Sequence, residues 1–536
     1  MQNCDITRVV ETAPGNTCGF VSDFSNETTL EGGNGYRAKS PHEDISSDSF
    51  LIHSGPPAVY QLRAKKQKFG TLTKITVGEK NFNKINKTIL LVGETGGGKS
   101  TLINTLINYT MGVKWEDKVW FQIVEEEKKS QSESQTSDVI VYEIFGFEDK
   151  TLHYSLTIID TPGFGDTKGT EYDDIISEQL LDLFRSEDGI YELNAVCLVM
   201  KATDNRLSYR QRQIFDSIIS LFGRNLEKNI VALVTHSDGL PPENALNALK
   251  AANIKCSRNE KNEPVHFLFD NQQSKERREV YEEPLKKSWD LTKKQMGDFL
   301  AFLISCGPES LMKTKQVLKK RIKLKACIQN LQERIILTEL KQREIRQIQE
   351  ALKENEESMK NNEKFTVGVD EVYKEKENIK GGMWGVFYEG ALCCKVCEET
   401  CHYPGCTMSW YPSYCEVMKD GHCTVCANKC PASKHVKEKW RYVTKTKRTN
   451  KNEGQKKLNL LENLEKEMNK LTAEKSQFLN ESYQHVVSLE QISLNVDSAS
   501  TIAHIKFLIE KMKEEGDNEK VQELEEMSRA KTPEQH

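Results

Sequence analysis

The chain has 536 residues, 37% hydrophobic and 29% charged, with a formal net charge of −5. That length accommodates two to four domains. The charge balance carries no basic signature for nucleic acid, and no apolar run reaches the roughly 18 residues of a membrane span. Of fifteen cysteines, nine crowd between Cys393 and Cys430. Met1-Gln2-Asn3-Cys4-Asp5 opens neither a signal peptide nor a myristoylation site, so this crowding points to metal ligation in a reducing, cytoplasmic setting rather than to a disulfide frame.

Residues 1–55 are rich in Ser, Thr, Asn, Asp and Gly without periodicity and read as a disordered tail. Residues 56–87 form a lead-in whose run Thr71–Val77 suits a strand. A globular α/β domain is expected over 88–305. It starts with the apolar, β-branched run Thr88–Val92. Gly93-Glu94-Thr95-Gly96-Gly97-Gly98-Lys99-Ser100 follows, and Thr101–Ile107 carries apolar residues at helical spacing. G-x-x-x-x-G-K-S between a strand and a helix is the phosphate-binding loop of P-loop NTPases. The glycines let the backbone turn its N–H groups onto a phosphate, and the helix N-terminus adds positive potential. Lys99 would reach the β and γ phosphates and stabilise charge in the transition state, and Ser100 would ligate Mg²⁺. Thr101 lies beside them.

Met111–Ser137 is polar and charged, and reads as a long loop like the first switch of a GTPase, with Thr136 or Ser137 completing the Mg²⁺ shell. Leu156–Gly163 is an apolar strand delivering Asp160 toward the phosphates, where a carboxylate holds Mg²⁺ through water. Gly163 offers a backbone N–H to the γ phosphate. Phe164 stands where Ras-like enzymes place a water-orienting Gln, which predicts slow intrinsic hydrolysis or a group supplied from elsewhere, such as a dimer partner. Further strands are expected at Ala195–Met200, Asn229–Thr235 and Val265–Phe269, with helices at Ser208–Phe222 and near Ser274–Ser305. Thr235-His236-Ser237-Asp238 ends the second of these strands. A carboxylate there accepts hydrogen bonds from the ring N–H and exocyclic amine of guanine, a donor pair adenine lacks, so Asp238 would select GTP over ATP. The loop Asp270–Gln273 would wall the base.

GETGGGKSTLIN from Gly93, IIDTPGFGD from Ile158, ATDNRLSYRQRQIFDSIISLFG from Ala202 and VALVTHSDGL from Val231 resemble the septin-like branch of translation-factor-class GTPases. The likeness is to the GTPases of immunity-associated proteins and the chloroplast import-receptor GTPases. It covers about two-fifths of the chain. The resemblance implies that Thr-x-x-Asp replaces Asn-Lys-x-Asp, that Asn271 lies in the base-binding loop, and that homodimers or larger assemblies form with nucleotide. This chain departs from that pattern in its cysteine cluster and in lacking a C-terminal membrane anchor.

Over 306–365 the chain turns helical and charged. Leu324, Ile328, Leu331, Ile335, Thr338, Gln342, Ile345, Gln349 and Leu352 alternate by four and three, as either a coiled-coil seam or a single amphipathic helix would. Residues 390–436 hold Cys394, Cys397, Cys401, His402, Cys406, Cys415, Cys423, Cys426, Cys430 and His435, enough ligands for two structural Zn²⁺ ions, with their pairing open. The spacing is not the cross-braced RING pattern. Lys434–Lys457 is basic and reads as a solvated linker. Helices are expected over 455–530, the first with a seam Leu461, Leu464, Met468, Leu471, Lys475 and Phe478 that would pair antiparallel with the earlier one and leave the zinc module at the tip of a stalk. The expectation is therefore a Rossmann-like P-loop G domain with a mainly parallel sheet, followed by a helical arm. It would bind GTP and GDP as a switch or assembling GTPase, or serve as a non-hydrolysing scaffold that recruits proteins through its arm and zinc module.

Overall fold

The computed structural model describes residues 42–69, 72–125, 139–148, 152–161, 179–184, 189–204, 207, 209–354, 365–379, 390–403, 411–453, 457–496 and 498–529. Thr136, Gly163, Phe164, Cys406 and most of the expected N-terminal tail lie outside these residues. The architecture below belongs to the compact unit Asp44–His536.

An eight-stranded mixed sheet organises the first half. Its strands are β1 (Lys65–Phe69), β2 (Leu72–Val77), β3 (Asn86–Val92), β4 (Ile140–Ile144), β5 (Ser155–Asp160), β6 (Ala195–Lys201), β7 (Ile230–Thr235) and β8 (His266–Leu268), in the spatial order β8-β7-β6-β3-β5-β4-β2-β1. Strands β8 through β5 run parallel, β4 is antiparallel to β5, and β1 is antiparallel to β2. β3, β6 and β7 are nearly unbroken apolar runs, as a sheet covered on both faces requires. Their period of two divides the core. Leu90, Val92, Val196, Leu198, Ala232 and Val234 meet Phe215 of α2 (Tyr209–Ile219) and Leu249 of α3 (Glu243–Ala251) on one face. Ile89, Leu91, Cys197, Val199, Val231 and Leu233 meet Ile103 of α1 (Lys99–Thr110) and Phe299 of α4 (Glu282–Cys306) on the other.

Three expectations about boundaries change. The supposed tail already contains a strand, Ser49–His53, paired antiparallel with Ala58–Leu62. Its Phe-Leu-Ile sequence favours a pleated backbone over a disordered one. The lead-in is no separate segment, because β1 and β2 extend the main sheet through β4. Part of the supposed switch loop is also strand. Val119–Gln122 pairs parallel with Ala58–Leu62 and buries Trp120 and Phe121. Asn108 of α1 clamps it, donating to the Phe121 carbonyl at 2.6 Å and accepting from the Phe121 N–H at 2.9 Å.

The second half is an arm. α5 (Met312–Glu354) is one helix of 43 residues, and α6 (Lys457–Ile492) returns beside it. Arg334 meets Glu474 at 2.8 Å, Lys341 meets Glu467 at 3.2 Å and Ile348 packs with Leu464, so the two run antiparallel. Leu324, Ile328 and Leu331 of the expected seam are buried with Phe478, Leu479 and Tyr483. The metal-ligand module is not at the tip of this pair. Between helix and module runs β9 (Phe365–Asn378), which pairs along its 14 residues with β10 (Trp440–Glu453). The ribbon doubles back along α5, where the Asp370 N–H donates to Gln347 Oε1 at 2.9 Å and Lys374 lies 3.6 Å from Glu333. At about 3.3 Å per residue it spans roughly 46 Å, enough to carry the module from the far end of α5 back to its middle. The basic stretch expected to be a solvated linker is thus a strand, with acidic partners on β9: Glu375 with Lys445 at 2.6 Å, Glu377 with Arg441 at 3.2 Å and Asp370 with Arg448 at 3.3 Å. α7 (Ala499–Glu515) and α8 (Asn518–Arg529) complete the chain.

The arm is joined to α2. Leu318, Ile322 and Leu494 enter the core cluster of Phe215, Ile218 and Phe222. The Leu494 N–H donates to the Phe222 carbonyl at 2.8 Å, Asn495 Nδ2 to Asp216 Oδ1 at 3.2 Å, and Arg321 Nε to the Ser220 carbonyl at 3.2 Å.

Candidate nucleotide and metal sites

β3 ends at Val92 and α1 begins at Lys99, so Gly93–Gly98 form the connecting loop at the carboxyl edge of the sheet. Gly96 and Gly98 have φ of +77° and +95°, which L side chains rarely adopt. At Gly93 a Cβ would stand 2.4 Å from the Val199 carbonyl oxygen of β6, so the loop seats directly on the neighbouring strand. Thr235 Oγ1, from the end of β7, donates to the Gly97 carbonyl at 2.8 Å and ties that strand end to the phosphate loop.

Lys99 is buried, and its Nζ donates to the carbonyls of Gly93 at 2.8 Å and Glu94 at 3.1 Å. Burial pulls its pKa below the usual lysine value, against the opposing pull of Asp160 and Glu94. Asp160 is fully buried at the end of β5, and neither carboxylate oxygen has a hydrogen-bond partner among the described residues. Burial raises its pKa to about 6, with Lys99 opposing. An unpaired buried carboxylate at the mouth of a phosphate loop fits a divalent cation, which would supply the charge that burial leaves uncompensated. Ser100 is half-buried in the first turn of α1. Thr95 and Thr101 are exposed. Thr136 and Gly163, assigned from sequence to the Mg²⁺ shell and the γ phosphate, fall outside the described residues.

A cavity of about 430 Å³ opens beside the loop, lined by Gly98, Thr101, His236, Asp238, Asn271 and Lys275 among others. Asp238 is exposed on its wall and accepts the Leu240 N–H at 2.9 Å, which fixes its carboxylate within a turn. Asn271 Oδ1 accepts from Thr105 Oγ1 at 3.2 Å, and its Nδ2 is buried with no partner among the described residues. The Asp270 carbonyl is held by Ser288 Oγ at 2.7 Å and Thr292 Oγ1 at 3.0 Å of α4, so the loop that follows it is anchored to a helix. Sequence reading missed Lys275 and Ser237 on this wall. No motif marks Lys275, and only its distance from the Asp270–Gln273 loop was legible.

In the module, Ala391–Cys394 forms the centre of a three-stranded sheet with Glu399–His402 and His435–Glu438. Its side chains fall into two groups whose ligand atoms lie within 4.8 Å of one another: Cys394, Cys397, Cys426 and Cys430, and Cys401, Cys423, Cys426 and His435. Backbone N–H groups converge on the sulfurs, Cys397 on Cys394 at 3.4 Å, Val425 and Cys426 on Cys423 at 3.3 Å, and Cys430 on Cys426 at 3.2 Å. Such donors stabilise thiolates. His435 donates through Nδ1 to the Pro431 carbonyl, 3.0 Å away, leaving Nε2 buried without a partner among the described residues. A carbonyl behind one ring nitrogen with the other aimed inward is how metal-binding histidines are oriented. The cluster fits a tetrahedral zinc module. His402 and Cys415 contact each other at 3.2 Å and belong to neither group.

The phosphate loop, the buried Asp160 and the adjoining cavity define a nucleotide-binding G domain of the P-loop class. Residues 87–302 match the AIG1 family, and with that the chain is seen to carry an AIG-type, septin-like G domain. Septin-5 of Homo sapiens is 31% identical over 173 residues, covering 29% of this chain and 41% of that protein. Septin-1 of Drosophila melanogaster is 29% identical over 126 residues, covering 22% of this chain and 30% of the fly protein. The chain thus spans about two-fifths of the human septin it matches. Toc33 from Arabidopsis thaliana, solved with Mg²⁺ and GMPPNP, aligns at a TM-score of 0.29 and 16% identity over 42% of this chain and 86% of its own. Among the described residues no helix is long and apolar enough to cross a membrane.

Proposed function

We propose that the chain is a GTP-binding switch or assembling GTPase, in which residues 88–305 bind and slowly hydrolyse GTP and residues 306–530 read out the nucleotide state. One observation carries this reading: a single cavity runs from the phosphate loop at Gly98 to the Asp238 and Asn271 wall. Phosphates would lie on the Gly93–Ser100 amides with Lys99 turned from its carbonyl contacts toward the β and γ oxygens. Asp238 would accept the two guanine donors, while Asn271 and His236 flank the base. Ser100, Asp160 and Thr136 would hold Mg²⁺, which when bound neutralises charge between the β and γ phosphates. Thr136 and Gly163 would close over the γ phosphate, and homodimerisation would complete hydrolysis that Phe164 cannot assist. Zn²⁺ would give the 390–436 module its folding energy.

The second reading is a scaffold that binds nucleotide without turnover and recruits proteins through its arm. Phe164 favours it, because a phenyl ring has no polar atom with which to orient water. Phosphate release measured against protein concentration separates the two. A dimer-activated enzyme accelerates per chain on concentration, whereas a scaffold stays flat. For the binding reading itself, the parent chain with Mg²⁺ should retain GTP and GDP against excess ATP. Lys99→Ala should lose at least about 100-fold in GTP affinity, the worth of a charged contact to phosphate in a buried loop. Undiminished binding by that variant would overturn the assignment.

A further inference from the structure

We propose that the module holds two metal ions that share the Cys426 thiolate, in a seven-ligand dinuclear centre. The first ion takes Cys394, Cys397, Cys426 and Cys430. The second takes Cys401, Cys423, Cys426 and His435. This rests on reading the module as zinc-binding, and adds to it the allotment of ligands and the bridge.

The geometry supports the allotment. Each set has four donors within 4.8 Å of one another, and Cys426 is the single residue common to both. Zinc–sulfur bonds of about 2.3 Å at the tetrahedral angle place sulfurs about 3.8 Å apart. Cys397 and Cys430 stand at 3.7 Å, an edge of such a tetrahedron. A disulfide would need about 2.05 Å. Without the bridge, one ion keeps only three of these seven ligands, and among the described residues no further donor joins either set: His402 and Cys415 contact each other and belong to neither. A backbone donor also favours the thiolate form of Cys426. Its sulfur accepts the Cys430 N–H at 3.2 Å, while its own N–H serves Cys423 at 3.3 Å. On one side the second set closes with the inward Nε2 of His435, buried and unpartnered among the described residues. Seven residues give two full tetrahedra only when one sulfur counts twice.

The bridge also explains why spacing alone did not resolve the pairing. The Cys423-x-x-Cys426 knuckle serves both ions, whereas independent knuckles would each serve one.

The test uses the full chain. Zinc content by mass spectrometry should be two per chain in the parent. Cys397→Ser and His435→Ala should each keep one, and Cys426→Ser should fall below one. Because Cys426→Ser can also fail by misfolding, the parent chain is reloaded with Co²⁺ and followed by electron paramagnetic resonance. The high-spin signal should grow with the first equivalent and shrink with the second, as spins couple through the shared sulfur. Two zinc ions with a cobalt signal that grows linearly to two equivalents would overturn the bridge and leave the zinc reading standing, as would a content of one. No zinc in the parent would overturn both.

Discussion

The G domain and the metal module solve one problem by different means. In the first, the polar machinery sits at the edge of a sheet whose two faces are filled with Leu, Ile, Val and Phe exposed by only a few per cent. In the second, the buried cluster is Cys394, Cys401, Cys415, Cys423, Cys426 and Cys430 with few aliphatic companions, Leu392, Val417 and Val425 among them. Burial of apolar surface is large enough to hold the first together. The second lacks that surface, so its stability would rest on bonds to the proposed metal and on ion pairs. Arg334 of α5 illustrates this, forming a buried pair with Glu399 of the module and another with Glu474 of α6.

The comparison can be broken at several points. Metal removal should have the largest effect. Stripping the module with a chelator should cost on the order of 10 kcal/mol of its folding free energy. Hydrogen exchange over 391–438 should become fast while the GTP affinity of residues 88–305 changes by less than about twofold. A parallel loss of nucleotide binding would show that the two regions do not stand separately. Next comes Arg334→Ala, which leaves two buried carboxylates facing one another. About 3–5 kcal/mol is expected, read as a lowered denaturation midpoint of the arm. Lys429, 3.2 Å from Glu481 at a half-exposed site, should matter far less.

Asp160→Asn tests the other region. The Asp160 pKa is raised from 3.8 to about 6, so the folded chain holds this proton better than the unfolded one. The resulting stabilisation is fully present below pH 4 and is lost as pH rises through 6, amounting to on the order of 3 kcal/mol. The nucleotide-free variant should therefore melt above the parent at pH 7.5 and match it at pH 4, while losing Mg²⁺-dependent GTP binding. Identical melting at both pH values would remove the buried carboxylate from the account. At the nucleotide cavity a smaller effect is expected of Asp238→Asn. Loss of a charged acceptor should weaken GTP by about 10- to 100-fold. Xanthosine triphosphate, which presents an oxygen where guanine has its amine, should bind the variant better than the parent.

What could be read from sequence follows the same division. The loop from Gly93 to Ser100 was legible because strand, turn and helix are consecutive and each residue type answers a local demand. Asp160 was legible because it ends an apolar strand and Asp238 because it follows one within three residues, and the sheet places such ends together. The strand Val119–Gln122 was hidden in polar surroundings, since its partners Ala58–Leu62 and Asn108 are supplied by tertiary contact. The β9–β10 ribbon was missed for a related reason. Lys445 and Arg448 look solvated until Glu375 and Asp370, about seventy residues earlier, are drawn opposite them. The module's place on the arm depended on that ribbon and was lost with it.

One consequence lies in the seam between α2 and the arm. α5 has 43 residues, and at 1.5 Å per residue that is a rigid rod of about 65 Å. It is bolted near its root through Arg321 to Ser220, beside the Leu494 and Phe222 joint. The distal end lies about 50 Å beyond that pivot, so a tilt of about 5° displaces it by about 4 Å. The fold therefore has mechanical gain: an adjustment too small to notice beside the phosphate loop becomes, at the far end, a step approaching the spacing between neighbouring strands.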